Sequence, residues 1–175
     1  SDTTPDLYDF AFALFALGWR WRARMDPEAL ALAHATMDFI DAHFAHPQGG
    51  YHHVLPPALP RQQNPHMHLT EAALVLLEGA GEARWRSLAD GLVDLFKSRI
   101  ARLPEGVLPE FFDDAWRPVE GQQGRLVEPG HQFEWAWILA QHQRLTAADN
   151  RVAVESLVAF AERHGVDPIS GAVYN

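Results

Sequence analysis

Apolar positions recur along this chain at spacings of three and four, in six successive blocks. The first, roughly Leu7 to Ala23, is apolar nearly all round: Phe10, Phe12, Leu14, Phe15 and Leu17, with Ala11, Ala13 and Ala16 between them. A helix with no polar face expects burial on every side. The second block carries Leu30, Ala33, Met37, Ile40 and Phe44 as a single stripe, which leaves one wet face. The third starts near Met67 and is again apolar on most sides, through Leu69, Ala72, Ala73, Leu74, Leu76 and Leu77. The fourth, about Ala83 to Ala101, returns to one stripe of Trp85, Leu88, Leu92, Leu95 and Phe96. The fifth, about His131 to Leu145, is apolar through Phe133, Trp135, Ala136, Trp137, Ile138 and Leu139. The sixth, about Asn150 to His164, has Val154, Leu157, Val158 and Ala161. The pattern predicts six helices in three pairs.

The punctuation agrees. Asp26 and Pro27 are an N-cap and first-turn proline. Gly79-Ala80-Gly81 stops the third helix. Two long loops remain, Val54 to Pro65 and Leu103 to Gly130. Asp9, Glu71 and Glu134 occupy matching places in successive pairs, and each pair ends in a glycine turn: Gly49-Gly50-Tyr51, Gly106-Val107, Gly171-Ala172-Val173. Repeats of a buried helix followed by a one-faced helix stack into an open solenoid or a closed toroid of inner and outer rings. The expected fold is therefore all-α, an (α/α)6-type toroid, with residues 1–175 forming a single domain of about three helical hairpins. A closed ring takes about six such pairs, so the chain reads as part of a longer barrel. The alternative is a three-pair arc completed by a homodimer.

Composition narrows the partners. The 175 residues are 47% hydrophobic and carry a net charge of -9, which disfavours nucleic acid or an anionic membrane. Neither a membrane-length apolar run nor a signal peptide at Ser1 to Pro5 is visible. With no cysteine there is no disulfide and no thiolate metal site.

The chemistry sits at two loop-to-helix junctions, Asn64-Pro65-His66-Met67-His68-Leu69-Thr70-Glu71-Ala72 and Pro129-Gly130-His131-Gln132-Phe133-Glu134-Trp135. In each, a glutamate follows a histidine by three, so both share a face. At a helix start the macrodipole lowers the imidazole pKa, while a nearby carboxylate raises it. A histidine so held can be neutral at pH 7 and take a proton. His131 is the catalytic candidate, with Glu134 beside it; His68, Asn64, Glu71 and Arg61 are candidate substrate contacts. Tyr8 and Trp116 can stack on a sugar ring. Of Trp135 and Trp137, about 200° apart on a helix, at least one is core. A metal is the rival use of two His and two Glu, but the usual helical motif places Glu before His, and no metal is expected. His43, His46, His52, His53, His142 and His164 read as structural or surface groups, and Glu78 as part of a solvated helix end.

On these motifs, with Leu7-Tyr8-Asp9-Phe10-Ala11-Phe12, the sequence resembles the N-acylglucosamine 2-epimerase superfamily over essentially its whole length, in proteins about twice as long. The resemblance implies a cytoplasmic sugar isomerase or 2-epimerase without metal or redox cofactor. A histidine, here His131, takes the C2 proton of an open-chain aldose. The cis-enediolate is then reprotonated at C1 or on the opposite face of C2. His68 and Asn64 would hold the sugar, Glu134 would orient the neighbouring imidazole, and Tyr8 would line the pocket. The family's second catalytic histidine and an early-repeat arginine have no match in this chain, and Phe10 replaces a commonly polar residue. The 175-residue piece alone is expected to be inactive. Two other readings stand beside this one: a non-catalytic helical-repeat module binding carbohydrate or protein, and an (α/α)-barrel glycosidase using Glu71 and Glu134.

Overall fold

The computed structural model describes residues 4–174. Ser1, Asp2 and Thr3, part of the stretch read as lacking a signal peptide, and the terminal Asn175 lie outside the described residues. The six expected helices are present: α1 (Leu7–Arg24), α2 (Pro27–His43), α3 (Asn64–Ala80), α4 (Ala83–Leu95), α5 (Pro129–Thr146) and α6 (Arg151–Gly165). A π-helical turn, Phe96–Ile100, extends α4 to the boundary that periodicity predicts. Asp26 caps α2 by accepting from the Glu28 amide, and Asp6 caps α1 through the Tyr8 amide. No described helix is long and apolar enough to cross a membrane.

The first helices of the three pairs pack side by side in the order α1, α3, α5, and each is backed by its own partner. Burial explains the all-round apolar pattern of α3. Leu69, Ala72 and Leu76 enter one core with Leu7, Leu14, Met37, Ile40 and Trp85; Met67, Ala73 and Leu74 enter another with Phe96, Trp135, Ile138 and Leu157. A helix between two cores has no face left for polar residues. α1 departs from the expectation of full burial. It buries Leu7, Ala11, Leu14 and Gly18, yet Tyr8, Phe12 and Trp19 are exposed along one side. The reason is that α1 has one inner-row neighbour where α3 has two. Gly18 permits that neighbour's approach, because a Cβ there would meet Val75 Cγ1 at 2.9 Å.

The far ends of the row are joined by Glu78, which pairs with Arg22 of α1 at 2.8 Å and Arg144 of α5 at 2.6 Å. The group read as a solvated helix end thus bridges three helices, although such half-exposed pairs contribute little each.

The repeat extends to the turns. Ala45 bridges Tyr51, Arg102 bridges Val107 and Val166 bridges Val173, and each closure uses a left-handed glycine. Gly106 is the most constrained. Its φ is +77°, and an added Cβ would lie 2.0 Å from the Ser156 carbonyl oxygen. Backbone cannot retreat as a side chain can. Gly106→Ala is expected to cost about 2 kcal/mol or more, read as a lowered unfolding midpoint; an unchanged midpoint would contradict this geometry.

One feature was not visible in the periodicity. The two long loops are stitched by a two-residue antiparallel ladder, β1 (Arg61–Gln62) to β2 (Phe111–Phe112), pairing Arg61 with Phe112 and Gln62 with Phe111. The pairing runs on into the next residue, where the Gln63 amide donates to the Glu110 carbonyl. This register carries Glu110 to the start of α3.

Candidate active site

α1, α3 and α5 run parallel, so their starts gather at one end. Tyr8 and Phe12 of α1 lie against the His68 ring, with centroids 5.1 and 4.6 Å away. Asn64, the first residue of α3, reaches His131 on the first turn of α5, Nδ2 to Nε2 at 3.2 Å. His68 and His131 therefore share one end of the molecule and stay open to water, with side chains 12% and 19% exposed.

Both nitrogens of His131 are engaged. Nδ1 lies 3.0 Å from Glu110 Oε1. A carboxylate accepts only, so it holds the proton on Nδ1. Nε2 then carries the lone pair, which accepts from Asn64. Glu110 is buried and receives a second hydrogen bond from Gln63 Nε2 at 2.9 Å. Burial disfavours the imidazolium of His131, but the hydrogen bond and charge of Glu110, with Glu128 and Glu134 behind it, leave the pKa above its ordinary value. The carboxylates outweigh burial and the helix dipole, so of the two opposing influences read from the sequence the one that raises the pKa prevails.

Glu134 does not repeat the Glu71 arrangement. Its Oε1 is 3.4 Å from His68 Nδ1, the same distance as Glu71 Oε2. The expected partner of His131 is thus corrected: Glu110 orients that ring, while Glu134 crosses to His68 and acts on His131 only through space. Burial raises the Glu134 carboxyl; the His68 and His131 imidazoles oppose, the Glu71 carboxylate adds, and the net direction is up. The ligand atoms of His68, Glu71 and Glu134 lie within 4.8 Å of one another. These contacts are long for hydrogen bonds, so the three groups form a loose polar cluster with donors and acceptors to spare.

Arg61 and Trp116, expected at the substrate, are placed elsewhere. Arg61 is 1% exposed and gives its guanidinium to the carbonyls of Gly49, Tyr51 and Asp114, while stacking 3.8 Å above the Trp116 ring. Trp116 is buried with it and donates Nε1–H to Gly49. Both expectations are corrected: these side chains lie under the loops, where the many free carbonyls of turn backbone need donors. Asp9 is exposed and stands apart from the cluster, so its recurrence with Glu71 and Glu134 does not carry into the site. His66 is a support as well. Burial and the Arg61 charge push its pKa down to about 3, and the neutral ring donates to the Gln62 carbonyl and accepts from the Tyr51 amide. Of the two tryptophans on α5, Trp135 is core and Trp137 is 51% exposed.

Sequence reasoning missed Glu110 and Gln63. One signal was present: Glu110 is a lone acid inside the apolar run Val107-Leu108-Pro109-Glu110-Phe111-Phe112. A charge in such a run needs a buried partner.

Among curated proteins, "Mannose-6-phosphate isomerase" of Rhizobium meliloti is 39% identical over 174 residues, covering 95% of this chain and 44% of that protein. "Cellobiose 2-epimerase" of Bacteroides fragilis is 27% identical over 193 residues, covering 99% of this chain and 48% of that protein. Among solved structures, a D-mannose isomerase superposes with a TM-score of 0.86 at 22% identity, over 98% of this chain and 46% of its own. The chain spans about half the length of the curated relatives it matches. The three hairpins are those of the (α/α)6 toroid, as the repeat predicts. The family model described as N-acylglucosamine 2-epimerase (GlcNAc 2-epimerase) matches residues 1–175. With helical pairs, paired helix starts and relatives in agreement, the chain belongs to the N-acylglucosamine 2-epimerase family.

Proposed function

We propose that this chain forms the base-bearing half of a sugar isomerase or 2-epimerase, with His131 as the base. The observation that carries this reading is the state of that ring. Glu110 holds Nδ1–H, and the Nε2 lone pair lies where the helix starts meet, accepting from Asn64 Nδ2, a bond that a bound sugar would displace. A neutral imidazole so fixed can remove the proton from C2 of an open-chain aldose bound at Nε2, and the imidazolium that forms is stabilised by Glu110. The electrons pass to C1 and its oxygen, giving the cis-enediolate. Return of the proton to C1, with the O2 proton passing to O1, yields the ketose. Return to the opposite face of C2 yields the epimer and needs a second acid, which the family resemblance assigns outside this chain. Asn64 keeps its Oδ1 buried without a partner among the described residues, an acceptor suited to a sugar hydroxyl. His68, Glu71 and Glu134 are placed for the remaining hydroxyls, with Tyr8 as a wall.

The substrate proposed is an unphosphorylated aldose. Glu71 and Glu134 flank His68, and the guanidinium of Arg61 is spent on carbonyls. A phosphate beside this cluster would meet carboxylates. The glycosidase reading is disfavoured by arrangement. Glu71 and Glu134 both turn to the one His68 imidazole, whereas the two carboxyls of a glycosidase flank a glycosidic bond with the substrate between them.

The test is the pH profile of Glu110→Gln, in the protein at its natural length. His131 must be neutral to act, so kcat/KM rises as pH passes its pKa. In the parent protein that rise lies above the ordinary histidine value, because Glu110 favours imidazolium. Removing the carboxylate leaves burial, which acts the other way. The rise is expected to move down by about 1 pH unit, with kcat reduced about 100-fold. An unmoved profile would detach Glu110 from the base.

A further inference from the structure

Behind Glu110 lies a buried chain of hydrogen bonds that ends on an indole. Trp135 Nε1 donates to Gln63 Oε1 at 2.6 Å, and Gln63 Nε2 donates to Glu110 Oε2 at 2.9 Å. Trp135 and Gln63 are both 0% exposed. An indole nitrogen can only donate and a carboxylate can only accept. The orientation of the Gln63 amide is therefore dictated: reversing it would set N–H against N–H at Trp135 and oxygen against oxygen at Glu110. Trp135 is itself immobilised by stacking on Phe96, with ring centroids 4.0 Å apart.

We infer that Trp135 is a positioning residue for the proposed base, acting through Gln63 to hold the Glu110 carboxylate on Nδ1 of His131. The inference rests on the reading of His131 as base but concerns a different link. A packed aromatic on α5 sets the alignment of a loop carboxylate, through an amide at the threshold of α3. Gln63 Nε2 also lies 3.2 Å from His131 Nδ1. Without the indole donor, Gln63 Oε1 would be left buried and unpaired, which is costly. Reversal would trade that unpaired oxygen for an unpaired N–H beside the new ring and set oxygen against Glu110 Oε2, so neither orientation is satisfied and the amide is no longer fixed on Glu110 and Nδ1 of His131. The carboxylate would lose its hold on the ring.

The charged groups around His131 are Glu110 and Glu128 from the loop and Glu134 from α5. From α3 it meets the uncharged amides of Gln63 and Asn64. Trp135→Phe changes none of these groups and keeps a ring against Phe96. Gln63→Glu keeps the shape and the indole bond, but puts a second negative charge beside Nδ1 of His131.

The experiment is an NMR titration of the His131 ring nitrogens in the parent protein and both variants, with C2 proton exchange measured alongside at natural length. Trp135→Phe is expected to lower the His131 pKa by about 1 unit and Gln63→Glu to raise it by about 1 unit. In Trp135→Phe, kcat should fall while KM holds. If both variants fold and titrate as the parent does, the inference is overturned. If Trp135→Phe does not fold, Gln63→Glu decides alone: an unraised pKa overturns the proposal. Opposite shifts in a protein with no C2 exchange would uphold the hydrogen-bond chain and defeat the isomerase reading instead.

Discussion

Replacing His131 with alanine is expected to abolish exchange of the C2 proton, with kcat/KM lowered by at least about 1,000-fold. The measurement is incorporation of deuterium at C2 of mannose or cellobiose by the protein at its natural length. The ring sits at the α5 threshold, partly open to water. Its hydrogen-bond partners are Glu110, Gln63 and Asn64. Loss of the ring should therefore leave the fold intact, as circular dichroism would show. KM should change far less than kcat, because hydroxyl recognition is assigned to Asn64, His68, Glu71 and Glu134. A variant at His68 should show the reverse, with KM raised more than kcat is lowered. Exchange that persisted in His131→Ala would remove the base from the proposal. A loss confined to KM would turn His131 into a binding group and favour the carbohydrate-binding reading.

How much of this was legible in the residues divides along a physical line. Helix number, pairing and near-correct bounds followed from periodicity, because burial of α3 between two cores forces apolar residues onto every face. The imidazoles at the helix starts were legible because a loop, a proline and an ordered helix are local features. The partners of those imidazoles were not. Glu134 lies three residues from His131, so helical spacing proposed it, yet the ring turns to Glu110 at 21 residues' separation. That contact depends on a ladder of two residues, too short to leave an alternating pattern. Arg61 misled for a related reason. A loop arginine beside a site motif looks available, and only the folded loops show its donors consumed by carbonyls.

The loop ladder makes stability and the site depend on the same side chain, and substitution of Arg61 exposes this. Its guanidinium donates to Gly49 at 2.9 Å, Asp114 at 3.1 Å and Tyr51 at 3.4 Å, and also meets His46 Nδ1 at 3.2 Å. Burial lowers its pKa to about 10, with Asp114 opposing. The group remains charged at neutral pH. Nε has no partner among the described residues, so desolvation is only partly offset. Removing the cation takes the donor from the Asp114 and Tyr51 carbonyls and leaves Gly49 with the Trp116 indole alone. Arg61→Met is expected to destabilise the fold by about 3–5 kcal/mol, a fall of roughly 10 °C in Tm. Arg61→Lys keeps the charge, but a single ammonium cannot span carbonyls from separate turns. It should recover less than half of the loss. Calorimetry separates this support from a substrate contact. A residue that binds sugar would raise KM and leave Tm in place. One that binds the loops would lower Tm first, and lower kcat with it, because Arg61 stands two residues before Gln63 in the strand that aligns Glu110. An Arg61→Met protein with the parent Tm would return Arg61 to the substrate and leave the alignment of Glu110 to Gln63 and Trp135 alone.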